Sequence, residues 1–245
     1  MDNKNSFNSY FYWLVISGFL LIALNACEGT SGRLGAVANQ NMEPAQFGKW
    51  TMISGDTRPD QPGVYGTRGT AASTNKPGAR FGSISWKDDM GNLWLFGGGT
   101  GSGSTNYLND LWKFDGSNWT WISGDNDRNQ SGVYGTKGIP DSANKPGARF
   151  GSISWYDKKG NLWLFSGYGY AAGKYHGALN DLWKFDGTNW TWVSGKKLSS
   201  SPDKENEPNP RYYSISWIDR EGNLWLFGGR KHTSDNFNDL WKYEP

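Results

Sequence analysis

The chain has 245 residues, is 16% aromatic, contains 34 glycines and carries a formal net charge of only +2. With no dense Lys/Arg block, that balance excludes a nucleic-acid face built on charge. A single cysteine excludes a disulfide framework.

The first element in chain order is the uncharged run Phe11–Leu24, behind a short polar head holding Lys4. It is short for a bilayer span and the right length for a signal-peptide core. The run ends in Leu24-Asn25-Ala26-Cys27, which resembles the lipobox of bacterial lipoproteins. The resemblance implies that residues 1–26 are a removed signal peptide and that Cys27 is acylated, for instance with palmitate. The membrane is then a partner, through acyl chains worth about 0.8 kcal/mol per buried methylene. A plain uncleaved anchor is the other reading of the run. By resemblance to the lipoprotein sorting rule, Glu28 after the cysteine favours the outer membrane of a bacterial envelope, with the domain outside the cytoplasm. Residues 27–46, rich in small and polar types, read as a flexible tether.

Residues 47–245 form the folded domain, and they repeat. Units beginning at Arg80, Arg149 and Arg211 each carry Arg-Phe/Tyr-x-Ser-Ile-Ser-Trp, then Gly-Asn-Leu-Trp-Leu-Phe, then Asn-Asp-Leu-Trp-Lys-Phe/Tyr. Such self-similarity means one supersecondary unit used several times. The first unit holds four strand candidates, a to d: Phe81–Trp86, Leu93–Phe96, Leu111–Phe114 and Trp119–Ile122. All are aromatic or β-branched and bounded by turn residues. Gly91-Asn92 and its equivalents Gly160-Asn161 and Gly222-Asn223 supply the positive φ of a tight hairpin. Strand b is apolar on both faces, so it belongs inside a stack of sheets. Radially stacked four-stranded sheets, a β-propeller, satisfy that requirement. No segment beyond the signal has convincing helical periodicity.

Gly97-Gly98, then Asn109–Asp115, then Trp119 resemble the kelch motif, as do Ser166-Gly167, Asn180–Asp186 and Trp190 in the second unit. The third unit has Gly228-Gly229 and Asn238–Tyr243. The resemblance covers residues 47–245 and implies an all-β kelch-type propeller with a galactose-oxidase-like fold. Blades are expected at 80–124, 149–195 and 211–245, the last completed by 47–55 as its fourth strand. Two departures stand out: Ser166 replaces a glycine, and the repeat exceeds the ~50 residues of an ordinary kelch unit. The excess lies in d–a insertions carrying Gly-Val-Tyr-Gly-Thr, at Gly63–Thr67 and Gly132–Thr136.

Three blades are fewer than the usual four to eight. The ring is therefore small or open, or it is completed by a homodimer with the N-terminal strand crossing between copies, or the chain is a shortened relative of a longer propeller.

Kelch-type propellers include copper-radical galactose oxidases and sialic acid mutarotases. The copper site of the former needs two His, two Tyr and a cross-linked Cys. Here the only histidines are His176 and His232, and the only cysteine is Cys27. Copper-radical chemistry is excluded, and no metal, cofactor or catalytic residue is assigned. Asp and Arg residues that recur in every unit read as turn and scaffold groups, and Arg80, Arg149 and Arg211 are expected to tie neighbouring blades.

Function is expected on the face where the d–a insertions and b–c loops emerge, because the copies differ there. Candidate ligand-binding residues are Tyr65, Arg68, Tyr107, Tyr134, Lys137, Tyr168, Tyr170, Tyr175, His176, Arg230, Lys231 and His232. Aromatic faces and cations of this kind suit a sugar or a peptide. The leading expectation is a non-enzymatic, lipid-anchored protein- or glycan-binding module. The alternative is a carbohydrate-active enzyme of sialic acid mutarotase type.

Overall fold

In a computed structural model, residues 48–101, 106–198 and 206–245 are described. The signal, lipidation and tether expectations on residues 1–46 fall outside them. Fourteen strands and no helix are found among the described residues. Blade one is the antiparallel sheet β1 (Ile84–Lys87), β2 (Leu93–Gly99), β3 (Tyr107–Phe114) and β4 (Trp119–Ser123), in that order. In the second unit β5 (Arg149–Phe150) precedes blade two, which orders β6 (Ile153–Tyr156), β7 (Leu162–Phe165), β10 (Leu182–Phe185) and β11 (Trp190–Ser194). The strands β8 (Tyr168–Tyr170) and β9 (His176–Ala178) pair with β5 in a small extra sheet. Blade three has β12 (Ile215–Ile218), β13 (Leu224–Phe227) and β14 (Leu240–Tyr243). Antiparallel blades of this kind, stacked face to face, make a β-propeller.

Strand a is shorter than its sequence pattern predicts, for a backbone reason. Gly82 and Gly151 have φ of 61° and 64°, which breaks the strand after the Arg-Phe pair. These kinks also link the blades. Gly151 N–H donates to Gly82 O at 2.8 Å, and Tyr213 N–H donates to Gly151 O at 2.7 Å. The three inner strands thus lie side by side near the axis.

The blades are joined by apolar faces. Ile84, Trp86 and Phe96 of blade one pack on Leu162, Leu164, Trp183 and Phe185 of blade two. The far face of blade two, with Ile153, Trp155, Trp163 and Phe165, packs on Leu224 and Leu226 of blade three. Trp155 Nε1 also donates to Trp217 O at 2.8 Å, crossing the joint.

One expectation is corrected here. Blade three has three strands, and the described residues 48–53 form no strand against β14. Met52 and Ile53, which match Trp121 and Ile122 of β4, stand exposed. Among the described residues β14 is therefore left as an unpaired edge of blade three.

Candidate functional site

The scaffold of the site is a buried polar node repeated in each unit. Arg149 donates to both carboxylate oxygens of Asp181, at 2.6 and 2.8 Å, and to the carbonyls of Gly147 and Ser166. Trp183 Nε1 and the Tyr134 hydroxyl donate to the same carboxylate. Arg80–Asp110 and Arg211–Asp239 repeat the bidentate pairing. Each arginine therefore joins strand a to strand c of its own blade, not one blade to the next as expected. The neighbouring blade is touched by backbone: Gly167 N–H donates to Arg211 O, and a Cβ on Gly97 would come within 2.8 Å of Arg149 O. Ser166 keeps the left-handed turn of its missing glycine, φ 67°, and its hydroxyl donates to backbone carbonyls including Arg211 O.

Four sequence candidates prove to be parts of this scaffold. Tyr65 and Tyr134 plug the blades: their hydroxyls bond Asp110 and Asp181, and their rings lie on Trp112 and Trp183. Burial, and then the adjacent carboxylate, push both phenols far above their ordinary pKa. Arg68 lies over Trp121 and donates to Gly124 O, and Lys137 lies over Trp192 and donates to Gly195 O. These cations fasten the insertions to the outer strands.

Five other candidates converge. Tyr107 begins β3, Tyr168 and Tyr170 form β8, His176 begins β9, and Arg230 follows the double glycine of unit three. Tyr107 stacks on Phe150 with ring centres 5.2 Å apart. Tyr168, Tyr170 and His176 surround Tyr107 at 6.0 to 6.2 Å. Phe150 continues the contact to Tyr212 and Tyr213, and Arg230 sits over both tyrosines. The result is an aromatic floor fed by all three units, with His176 at its rim. Contacts of this type contribute about 0.5–1.5 kcal/mol each beyond simple burial. Burial, and then neighbouring tyrosines, push the Tyr107 phenol up to about 12, so it is neutral at physiological pH. Arg230 Nε is buried without a hydrogen-bond partner among the described residues. Tyr175 and His232 stand exposed outside the floor, and Lys231 lies in a turn closed by its N–H to Asp235 O.

Three members of the floor were not singled out from sequence: Phe150, Tyr212 and Tyr213. Tyr213 had a readable signal, because it stands where the other units have Gly82 and Gly151. It holds φ 57°, a left-handed conformation costly to a bulky residue. A strained side chain that breaks the repeat near the axis marks a site where a ring is wanted.

Among the described residues, no group of three His, Cys, Asp or Glu is placed to hold a metal. The parts of this cluster that reach the surface are the partly exposed rings of Phe150, Tyr168, Tyr170 and Tyr213, the His176 imidazole and the Arg230 guanidinium.

No family profile matches the sequence, and no curated protein matches it. Solved structures do match. One, described as the structure of YjhT, is matched with a TM-score of 0.44 at 16% identity over 72% of this chain. The chain spans about half of that one, 55% of its length. The expectation that this protein is not an enzyme is corrected and dropped. At this identity the likeness concerns the fold alone.

Proposed function

We propose that this is a lipid-anchored protein of the bacterial envelope, tethered through Cys27 to the outer membrane, whose propeller binds a carbohydrate on the floor around Tyr107. The observation that carries this reading is the convergence of Tyr107 and Tyr168, from b–c segments where the repeat is broken, on Phe150 and Tyr212 of the repeated strand a, so that three units meet. The partly exposed rings of Phe150, Tyr168, Tyr170 and Tyr213 around the buried Tyr107 complement the C–H faces of a pyranose, and the Arg230 guanidinium would hold a carboxylate or hydroxyl of the sugar. A glycan array followed by calorimetry tests it. His176→Ala and Arg230→Ala should each weaken binding about tenfold, equivalent to about 1.4 kcal/mol. No saccharide binding on the array, or binding untouched by both variants, would overturn the reading.

A second reading rests on His176, the exposed imidazole at the rim of the floor. If the bound sugar is also turned over, His176 is the group placed to move a proton at the anomeric centre. Anomer exchange followed by NMR, present with His176 and lost in His176→Ala, would support that reading.

A further inference from the structure

The joints between blades are alike in their apolar contacts, although Trp155 Nε1 bonds the next blade while the equivalent Trp86 Nε1 is buried without a partner, and a further bare face of each kind stands on blade three and blade one. Trp86 and Trp155 are each 6% exposed under the following blade, whereas the equivalent Trp217 is 52% exposed. Ile215, Phe227 and Leu240 around it are bare too, although Ile84, Phe96 and Leu111 are buried. At the opposite end the receiving face is open. Leu162 and Leu224 are 3% and 2% exposed, and their equivalent Leu93 is 47% exposed. The polar contacts of the joint are half-made in the same way. Ser154 Oγ reaches Ser85 O, and Ser216 Oγ reaches Ser154 O. Among the described residues nothing reaches Ser216 O, and Trp217 Nε1 lacks the acceptors that Trp155 finds in the next blade.

We propose that a second copy of this chain closes the ring. Blade three of each copy docks on blade one of the other, giving six blades through two identical head-to-tail joints. The occupant follows from continuity with the existing joints: the bare face of blade three is the repeat equivalent of faces that already seat a blade. The bare face of blade one is the equivalent of the faces they seat. In that arrangement the Trp217 ring is covered by blade one of the second copy, as the Trp86 and Trp155 rings are covered by the blades that follow them.

The N-terminal segment fits the same arrangement. Ile122 of β4 packs into the cluster that holds Trp190 of the next blade. Ile53, its match, lines a groove with Trp119, the equivalent of Trp190. The ion pair Asp56–Lys76 repeats Asp125–Lys145, both at 2.6 Å, so the two insertions leave their blades alike. Residues 51–54, exposed and unpaired within their own chain, thus stand where the fourth strand of a blade preceding blade one would run. In the closed ring that blade is the second copy's third, whose β14 has a free edge. A cavity of 310 Å³ lined by Leu224, Trp241 and Tyr243 lies where Trp50 and Met52 of the incoming strand would fall.

The test is a cysteine pair in the full chain, solubilised in mild detergent. Lys87→Cys with Arg220→Cys, the repeat equivalents of Tyr156 and Asp89, whose side chains meet across the first joint, should be joined into a dimer by a flexible bis-maleimide, with neither single variant doing so. Light scattering of the unmodified protein, corrected for bound detergent, should give twice the mass of one processed chain. Trp217→Glu, at an exposed position, should halve that mass while near-ultraviolet circular dichroism stays native. A cross-link within one chain would show a three-bladed closed ring and overturn the proposal. So would a monomer at all concentrations, or a heteromeric partner on blade three of the purified protein. The sugar-binding reading is tested by ligand and not by mass, so the two can fail separately.

Discussion

Blades two and three are written in nearly the same sequence, yet one is a sealed core and the other half-open. Blade two is covered on both faces; its Arg149 and Asp181 are fully buried and share Tyr134 as a third partner. Blade three is covered on one face, and Asp239 of its Arg211 pair keeps 34% side-chain exposure and has no such tyrosine. The same residues therefore contribute differently because of what covers them. A repeat specifies local geometry, while the neighbours decide the energetics.

Matched substitutions sharpen this contrast, the largest effect coming at the node. Arg149→Ala strands a fully buried carboxylate and should cost about 3–5 kcal/mol. Arg211→Ala leaves Asp239 in reach of water and should cost about 1–3 kcal/mol. Urea denaturation of both variants reads the difference, and equal losses would break the comparison. Next comes the joint. Trp155→Ala opens a core and should cost about 3–5 kcal/mol. Trp217→Ala should change the stability of the isolated chain by less than about 1 kcal/mol. If a second copy covers Trp217, its cost appears as a concentration-dependent melting temperature.

A smaller effect is expected at the axial kink. Gly151→Ala must hold φ 64° with its Cβ about 3.0 Å from the Tyr213 ring, and should cost at least about 1 kcal/mol. Tyr213→Gly relieves backbone strain while losing ring contacts, and should stay within about 1 kcal/mol of the parent. Thermal melts of the pair test whether strain at Tyr213 is offset by packing.

The gentlest probe is acid. The Asp239 carboxyl is held below its ordinary value by hydrogen bonds from Arg211, against the opposing effect of burial. Burial pushes Asp157 up, but hydrogen bonds from Asn161 and Trp163 outweigh it and leave it lowered. Both groups bind fewer protons folded than unfolded. Their stabilisation is complete above the unfolded value of about 3.9 and is lost as pH falls through the lower folded values. Melting temperature should hold from about pH 7 to 5 and drop below about pH 4.

The blades were legible in the sequence because their signals are local. The hairpin Asp-x-x-Gly-Asn, the double glycine and the alternation in strand b each act within a few residues. The partners of the arginines were not legible, because Asp110, Asp181 and Asp239 reach them only after strands a and c are brought together. The insertion tyrosines misled for a related reason. Tyr65 and Tyr134 look like loop aromatics, and only the fold shows Asp110 and Asp181 beneath them. Of the site, Tyr107, Tyr168, Tyr170, His176 and Arg230 were found through their place in loops that break the repeat. Tyr212 and Tyr213 were hidden inside the repeated motif, though the glycine-to-tyrosine change at 213 was there to read.

The central claim is that the loops which differ between copies hold the ligand, while the repeated hairpin side is scaffold. Calorimetry with a saccharide found on the array tests this by pairing His176→Ala, on the varied side, with Lys158→Ala, on an exposed a–b hairpin. The expected result is about a tenfold weaker Kd for His176→Ala and an unchanged Kd for Lys158→Ala. Equal losses, or a loss confined to Lys158→Ala, would contradict the claim.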